Sequence, residues 1–122
     1  MTSWNNQLFA LFLFLTTSVY AQKTTEMYIP IGKSPGISGK STILGNIFQV
    51  NLQEKSILIK GPSGDHSIKT NEKTKIWLDR SQIKQPNLNG TFTDCQKDLR
   101  AEVKLVNPTT SIAEWIKIQM KK

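Results

Sequence analysis

The residues that carry most enzymatic and metal chemistry are scarce in this 122-residue chain, which has one histidine, His66, and one cysteine, Cys95. A catalytic triad or a metal centre needs several such groups held close together. Neither residue has a second ligand at a recognisable spacing, because the remaining sulfur ligands, Met27 and Met120, are isolated. We expect an exposed hairpin histidine, a small buried cysteine and no cofactor. Periplasmic metal binding is the lesser alternative hypothesis for function.

Hydrolytic chemistry would have to come from carboxylates on loops. Asp79 and Arg80, with Asp94 and Asp98, could be imagined as acid, base and phosphate clamp. Carboxylates in such positions more often form caps and turns, and the chain contains no nucleophile elbow. The sequence therefore predicts a protein that is not an enzyme.

One segment is close to a phosphate-binding loop. Ser34–Ser41 matches G-x-x-x-x-G-K-[ST] except that Ser34 replaces the first glycine. That loop requires a buried strand before it and a helix after it, whereas here a Pro- and Gly-containing stretch precedes it and a β-pattern follows. We expect a flexible basic loop that binds no nucleotide.

Aromatic residues among cations give the one candidate binding face. Binding of single-stranded nucleic acid by a small β-domain needs such platforms on one surface. Strand alternation places Trp115 and Lys117 on the same face, although Trp115 and Trp77 could instead cap the ends of a barrel. The candidate residues of this face are Lys75, Trp77, Arg80, Trp115 and Lys117.

Short β-patterns recur from residue 41 to the C-terminus. We expect strands at 41–52, 56–60, 66–70, 75–78, 101–106 and 111–120. Gly45 predicts a bulge or bend in the first strand. Residues 93–99 predict a helical turn with Thr93 or Asp94 as N-cap. The fold class is therefore all-β, a small antiparallel OB-like barrel of five to six strands with one short helical turn.

The same pattern resembles a group of small exported bacterial domains of unknown function, for which an OB-like barrel is expected. The resemblance rests on burial patterns between about 41 and 120, above all Thr74-Lys75-Ile76 in one strand and Ala113-Glu114-Trp115-Ile116 in the last strand. It implies a fold and a compartment. It implies no catalytic residue.

The N-terminus predicts a secretory signal peptide at 1–21. An apolar run, Leu8–Leu15, precedes Val19-Tyr20-Ala21, a small-x-small cleavage site. Because eight apolar residues are far fewer than the ~20 that span a bilayer, we expect cleavage and no stable membrane insertion, with an uncleaved anchor as the alternative. The mature chain would then be periplasmic or secreted, with an extended leader at 22–40 and one OB-like β-barrel domain at 41–122.

All charged residues lie after Ala21, and sixteen Lys and Arg against nine Asp and Glu give a net charge of +7. Such an excess attracts polyanions diffusely, although lysines also solvate exposed strands. The best-supported prediction is a non-catalytic binding or accessory module of the bacterial cell envelope. Its partner would be an envelope protein, which Tyr28–Ile31 could meet by strand addition, or, as the alternative function, a polyanion or single-stranded nucleic acid.

Overall fold

A computed structural model of the chain describes residues 26–121. The predicted signal peptide, 1–21, lies outside the described residues, as do positions 22–25. Within the described range, no helix is long and apolar enough to cross a membrane. The strands of this range are β1 (Ile43–Asn51), β2 (Ser56–Gly61), β3 (Gly64–Lys69), β4 (Lys75–Asp79), β5 (Leu88–Asn89), β6 (Arg100–Leu105) and β7 (Ala113–Gln119), and its 3-10 helices are Ser81–Ile83 and Phe92–Asp94.

The predicted all-β class is confirmed, and the predicted alternation is confirmed in β6 and β7. Ala101 and Val103 of β6 and Ile116 and Ile118 of β7 belong to one hydrophobic cluster. Ala113 joins it out of step, because the register of β6 against β7 shifts between Lys104 and Leu105. We call the side of the sheet that carries this cluster the inner face. Burial of an isoleucine side chain contributes roughly 1.5–3 kcal/mol, so the isoleucines dominate the cluster. Its fully buried isoleucines are Ile47, Ile57, Ile59, Ile68, Ile116 and Ile118.

The prediction of a small antiparallel barrel of five to six strands is not met. The strands form one open, mixed sheet in the order β3-β2-β1-β6-β7-β4-β5. All neighbours are antiparallel except β4 and β7, which are parallel and pair Lys75 with Trp115 through Asp79 with Gln119. The seventh strand, β5, comes from the predicted loop 79–93, where two residues pair with β4.

The path of the chain after β3 explains the parallel pair. β3 meets the segment before β7 at a single parallel bridge, Lys69 with Ile112, and the Lys69 amide donates to Ser111 O at 2.8 Å. The chain then turns at Asn71, whose carbonyl accepts from the Thr74 amide at 3.1 Å. The following strand, β4, therefore continues alongside β7, and β3 remains at the end of the sheet.

Gly45 is needed for close approach rather than for a bulge. The register of β1 against β2 shifts between Ile47 and Gln49, so the irregularity lies after the position that the sequence predicts. A Cβ on Gly45 would instead overlap the backbone carbonyl of Lys60 on β2.

The helical turn also begins earlier than predicted. The 3-10 helix Phe92–Asp94 has Thr91 as its N-cap, and not Thr93 or Asp94. The Asp94 carboxylate accepts from the Thr91 amide at 2.8 Å, which completes a capping box. Asp94 is therefore the third residue of the turn, the position from which its side chain reaches the backbone amide of the N-cap Thr91.

Residues 26–42, which we call the docked segment, cover the outer face of the sheet. The predicted extended leader is instead a helical turn at 26–28 followed by successive tight turns, with positive φ at Gly32, Gly36 and Gly39. Its backbone binds the sheet directly, since the Ile31 amide donates to Asp79 at 2.8 Å. The docked segment therefore buries polar groups of the sheet that would otherwise face solvent.

Candidate functional site

Strand register places charged and aromatic side chains in rows across the outer face. Trp115 on β7 lies opposite Lys104 on β6 and Lys75 on β4. In the next row, Lys117 lies opposite Glu102 and Trp77. Residues directly opposite each other in a sheet have Cβ atoms ~4.5–5.5 Å apart, so both rows are contiguous.

Lys117 is a buried cation at the centre of this face. Its side chain is 0% exposed, and its Nζ donates to Glu26 Oε1 at 3.2 Å and to Ile29 O at 2.8 Å. The same Nζ lies 4.9 Å from the ring centroid of Trp115 and 5.9 Å from that of Trp77. A buried ammonium is stable only when it is paired and hydrogen-bonded, and the docked segment supplies both partners.

Glu102 is the corresponding buried anion, and it is 0% exposed. Its Oε1 accepts from the Gly32 amide at 3.0 Å, while its Oε2 accepts from the hydroxyls of Ser38 and Thr42, each at 2.7 Å. The segment 34–41, which is close to a phosphate-binding loop in sequence, supplies the Ser38 hydroxyl to Glu102, and Gly32 just before it supplies an amide. These donors therefore bind a carboxylate of the protein itself.

Trp77 and Trp115 pack together with ring centroids 5.3 Å apart and a 31° angle between the ring planes. They are 5% and 4% exposed, and this small exposed part borders a cavity of about 410 Å3. We call this cavity the indole groove. Its lining residues are Glu26, Ile37, Lys75, Trp77, Lys104, Glu114 and Trp115.

The charges of the groove are mostly paired. Lys104 Nζ lies 3.1 Å from Glu114 Oε2 in an exposed ion pair, and Glu26 is the partner of Lys117. Lys75 is exposed and makes no salt bridge to any residue between 26 and 121. The groove therefore carries one uncompensated positive charge beside an apolar floor.

The structure brings together four of the five residues of the predicted binding face. Lys75, Trp77 and Trp115 line the groove, and Lys117 lies against both rings. Arg80 is held elsewhere, since its Nε donates to Pro86 O at 2.7 Å. The two indoles are buried rather than presented on an open surface.

Sequence reasoning missed the remaining lining residues, which are Glu26, Ile37, Lys104 and Glu114. Lys104 could have been found from the alternation of β6, because it lies between the inner-face residues Val103 and Leu105 and so belongs to the outer face. Glu26 lies 91 positions from Lys117 along the chain, and no local pattern joins them.

Two of the three carboxylates considered for hydrolysis, Asp79 and Asp94, accept hydrogen bonds from backbone amides. Asp79 is 0% exposed, and it accepts from Ile31 N at 2.8 Å and Ser81 N at 2.9 Å. Asp94 belongs to the capping box. These contacts are structural, as expected for caps and turn formers.

The single cysteine and the single histidine of the chain do not line the groove. Cys95 is buried, as predicted, and burial together with the nearby Asp94 charge raises its thiol pKa to about 12, so the thiolate nucleophile is disfavoured. His66 Nε2 lies 3.5 Å from Ser63 Oγ on the β2–β3 hairpin. Between residues 26 and 121, no three His, Cys, Asp or Glu residues are grouped so that they could hold a metal ion.

Comparisons of this chain with protein-family models, curated proteins and solved structures found no match.

Proposed function

We propose that this chain is an exported, non-catalytic binding or accessory module of the bacterial cell envelope, and that the indole groove is its binding site. The carrying observation is the Lys104–Trp115–Lys75 row, which borders a cavity of about 410 Å3. Ligand sites typically enclose ~300–1,000 Å3 and combine an apolar lining with a few polar groups. Two indoles, an isoleucine and four charged side chains give the groove this composition.

Export is supported by the sequence pattern at 1–21, with cleavage after Ala21 and a periplasmic or secreted product. The test is the intact mass and N-terminal sequence of the chain recovered from the cell envelope or the medium. We expect an N-terminus at Gln22. Recovery with residues 1–21 still attached, in the membrane fraction, would favour the uncleaved anchor.

An OB-like arrangement is part of the proposal. The strands β1, β2, β3, β6 and β7 follow the order β3-β2-β1-β6-β7, and the Lys69–Ile112 bridge leads from β7 back to β3. An OB-fold is a five-stranded, partly open barrel, so one bridge at this seam is compatible with it. We expect slow hydrogen exchange at the Lys69 amide. Rapid exchange of this amide would contradict the proposed contact between β3 and the segment before β7.

Tryptophan signals report directly on the groove. The chain contains three tryptophans, and cleavage after Ala21 removes Trp4, which leaves Trp77 and Trp115. Ring-containing fragments of every charge should be titrated into the exported protein while its two indole N–H resonances are recorded. We expect both resonances to shift with at least one fragment. If no fragment shifts either resonance, the groove is not a binding site.

A matched pair of variants separates groove binding from surface effects. Glu114→Tyr places a large ring at the rim of the groove, whereas Glu72→Tyr makes the same change at an exposed turn outside it. We expect Glu114→Tyr alone to abolish the fragment-induced shifts. Equal binding by both variants would place the ligand elsewhere.

Polyanion binding remains the second candidate because the net charge is +7. The buried indoles do not support a base-stacking platform, since single-strand binding proteins stack bases on accessible rings. The test is titration with heparin and single-stranded DNA at low and high salt. Salt-sensitive binding that leaves the two indole resonances unchanged would favour this function over groove binding.

A further inference from the structure

We infer that the indole groove is selective for a small molecule that combines a hydrophobic ring with a carboxylate, and that Lys75 is the group that selects the anion. This inference rests on the proposed function, because it names the ligand class of the same groove. It is carried by the distribution of charge around the two indoles.

Charge pairing leaves one cation available at the groove. Lys104 is neutralised by Glu114 at 3.1 Å, and Lys117 by Glu26 at 3.2 Å. Lys75 has no salt-bridge partner among residues 26–121. Lys75 lies directly opposite Trp115 in the register of β4 and β7, and it lines the groove beside the apolar floor. A carboxylate on a bound ring would complement this charge.

A cationic ligand is disfavoured because the aromatic cation site is already filled. Tryptophan rings attract ammonium groups within ~6 Å of their centroids. The Lys117 ammonium holds that position for both rings, at 4.9 and 5.9 Å. A second ammonium in the groove would also be repelled by Lys75, the one groove lysine that no carboxylate of residues 26–121 pairs.

The apolar lining of the groove favours a hydrophobic ring in the ligand. Trp77, Trp115 and Ile37 supply the apolar contacts, and an aromatic or alicyclic ring buries apolar surface against them without requiring further hydrogen bonds. The volume of about 410 Å3 suits a compound of one or two rings rather than an extended polymer.

Three probes with one carbon skeleton test the inference on the exported protein. They are 3-phenylpropionate, 3-phenylpropanamide and 3-phenylpropylammonium, titrated at low ionic strength while the two indole resonances are recorded. We expect the carboxylate to bind roughly 2- to 5-fold more tightly than the amide, the size expected for one exposed charge pair. We expect the ammonium compound to bind most weakly.

Two lysine variants locate the anion. Lys75→Met should reduce carboxylate affinity roughly 2- to 5-fold and leave amide affinity unchanged. Lys73→Met, at an exposed turn position outside the groove lining, should change neither. An unaltered preference for the carboxylate in Lys75→Met would overturn the role of Lys75.

The outcomes distinguish this inference from the proposed function. If the amide or the ammonium compound binds as tightly as the carboxylate, the anion selectivity is wrong and groove binding stands. The inference also fails if none of the three probes binds while other ring fragments do. If no ring fragment of any kind shifts the indole resonances, the proposed function itself fails.

Discussion

Replacement of Lys117 by methionine tests whether the docked segment is held by a buried charge. Methionine keeps the length and much of the apolar volume of the lysine side chain, but removes the ammonium. The change deletes hydrogen bonds of 3.2 Å to Glu26 and 2.8 Å to the Ile29 carbonyl. It also deletes the cation–π contacts to Trp115 and Trp77.

The expected loss of stability in Lys117→Met follows from the burial of the ion pair. Removal of one partner from a buried ion pair costs ~3–5 kcal/mol because the other charge is left unpaired. The Glu26 side chain keeps 20% exposure and accepts a second hydrogen bond, from Ser34 Oγ, so we expect the low end, a loss of about 3 kcal/mol. For a domain of ~100 residues this corresponds to a decrease in Tm of ~12–24 °C.

A neighbouring lysine provides the control. Lys104 forms an ion pair of nearly the same length, 3.1 Å, but its side chain and that of Glu114 are 36% and 49% exposed. Lys104→Met should therefore cost only ~0–1 kcal/mol. The assay is urea unfolding of both variants, followed by tryptophan fluorescence and by circular dichroism. Equal losses in the two variants would refute the argument that burial gives the Lys117 contact its strength.

A second variant separates the lost charge from lost packing. Glu26→Gln combined with Lys117→Met removes the unpaired carboxylate, and we expect it to recover about 1 kcal/mol relative to the single change. No recovery would indicate that the loss comes from packing around the rings.

Three further predictions use the same unfolding assay and thiol chemistry. Glu102→Gln should destabilise the fold by about 2 kcal/mol, since a neutral amide accepts its three donors less strongly, and should expose the docked segment to limited proteolysis; unchanged protease resistance would contradict this. Gly45→Ala should cost about 2–4 kcal/mol because its Cβ overlaps the Lys60 carbonyl, and a loss below 1 kcal/mol would show that β2 can yield. The pKa of the Cys95 thiol is raised from 9.0 to about 12 in the folded state. Between about pH 9 and 12 the unfolded thiol is therefore ionised while the folded thiol is still protonated. The free energy of unfolding should accordingly fall by about 1.4 kcal/mol per pH unit in this range. Ellman's reagent at pH 8 should accordingly react only after addition of urea, and reaction in the native protein would contradict the burial.

Six of the seven strands between residues 26 and 121 were predictable from sequence because their information is local. Alternation places Val103, Ile116 and Ile118 on the inner face and Trp115 and Lys117 on the opposite face. The sheet topology was not predictable in the same way. The parallel pairing of β4 with β7 depends on where the chain turns after Lys69, and an OB-like expectation supplies no such turn.

The candidate site was predictable only in part. The sequence grouped Lys75, Trp77, Trp115 and Lys117, and the structure places all four on one face of adjacent strands. The sequence did not predict the burial of Trp77, Trp115 and Lys117 beneath residues 26–42, which dock across separations of 48 to 91 positions. The polar composition of that segment resembles a linker until its partners on the sheet are known.

The contact between Glu26 and Lys117 also constrains the order of folding. The chain is synthesised from its N-terminus, so Glu26 emerges 91 residues before its partner on β7. Contacts of such separation form late, because a long loop must close before they contribute. A chain that stops before β7 leaves Glu26 without its ammonium and leaves β6 paired only with β1. The docked segment also binds Asp79 and Glu102, so the synthesis of β7 decides when this segment acquires its full set of contacts and covers the sheet.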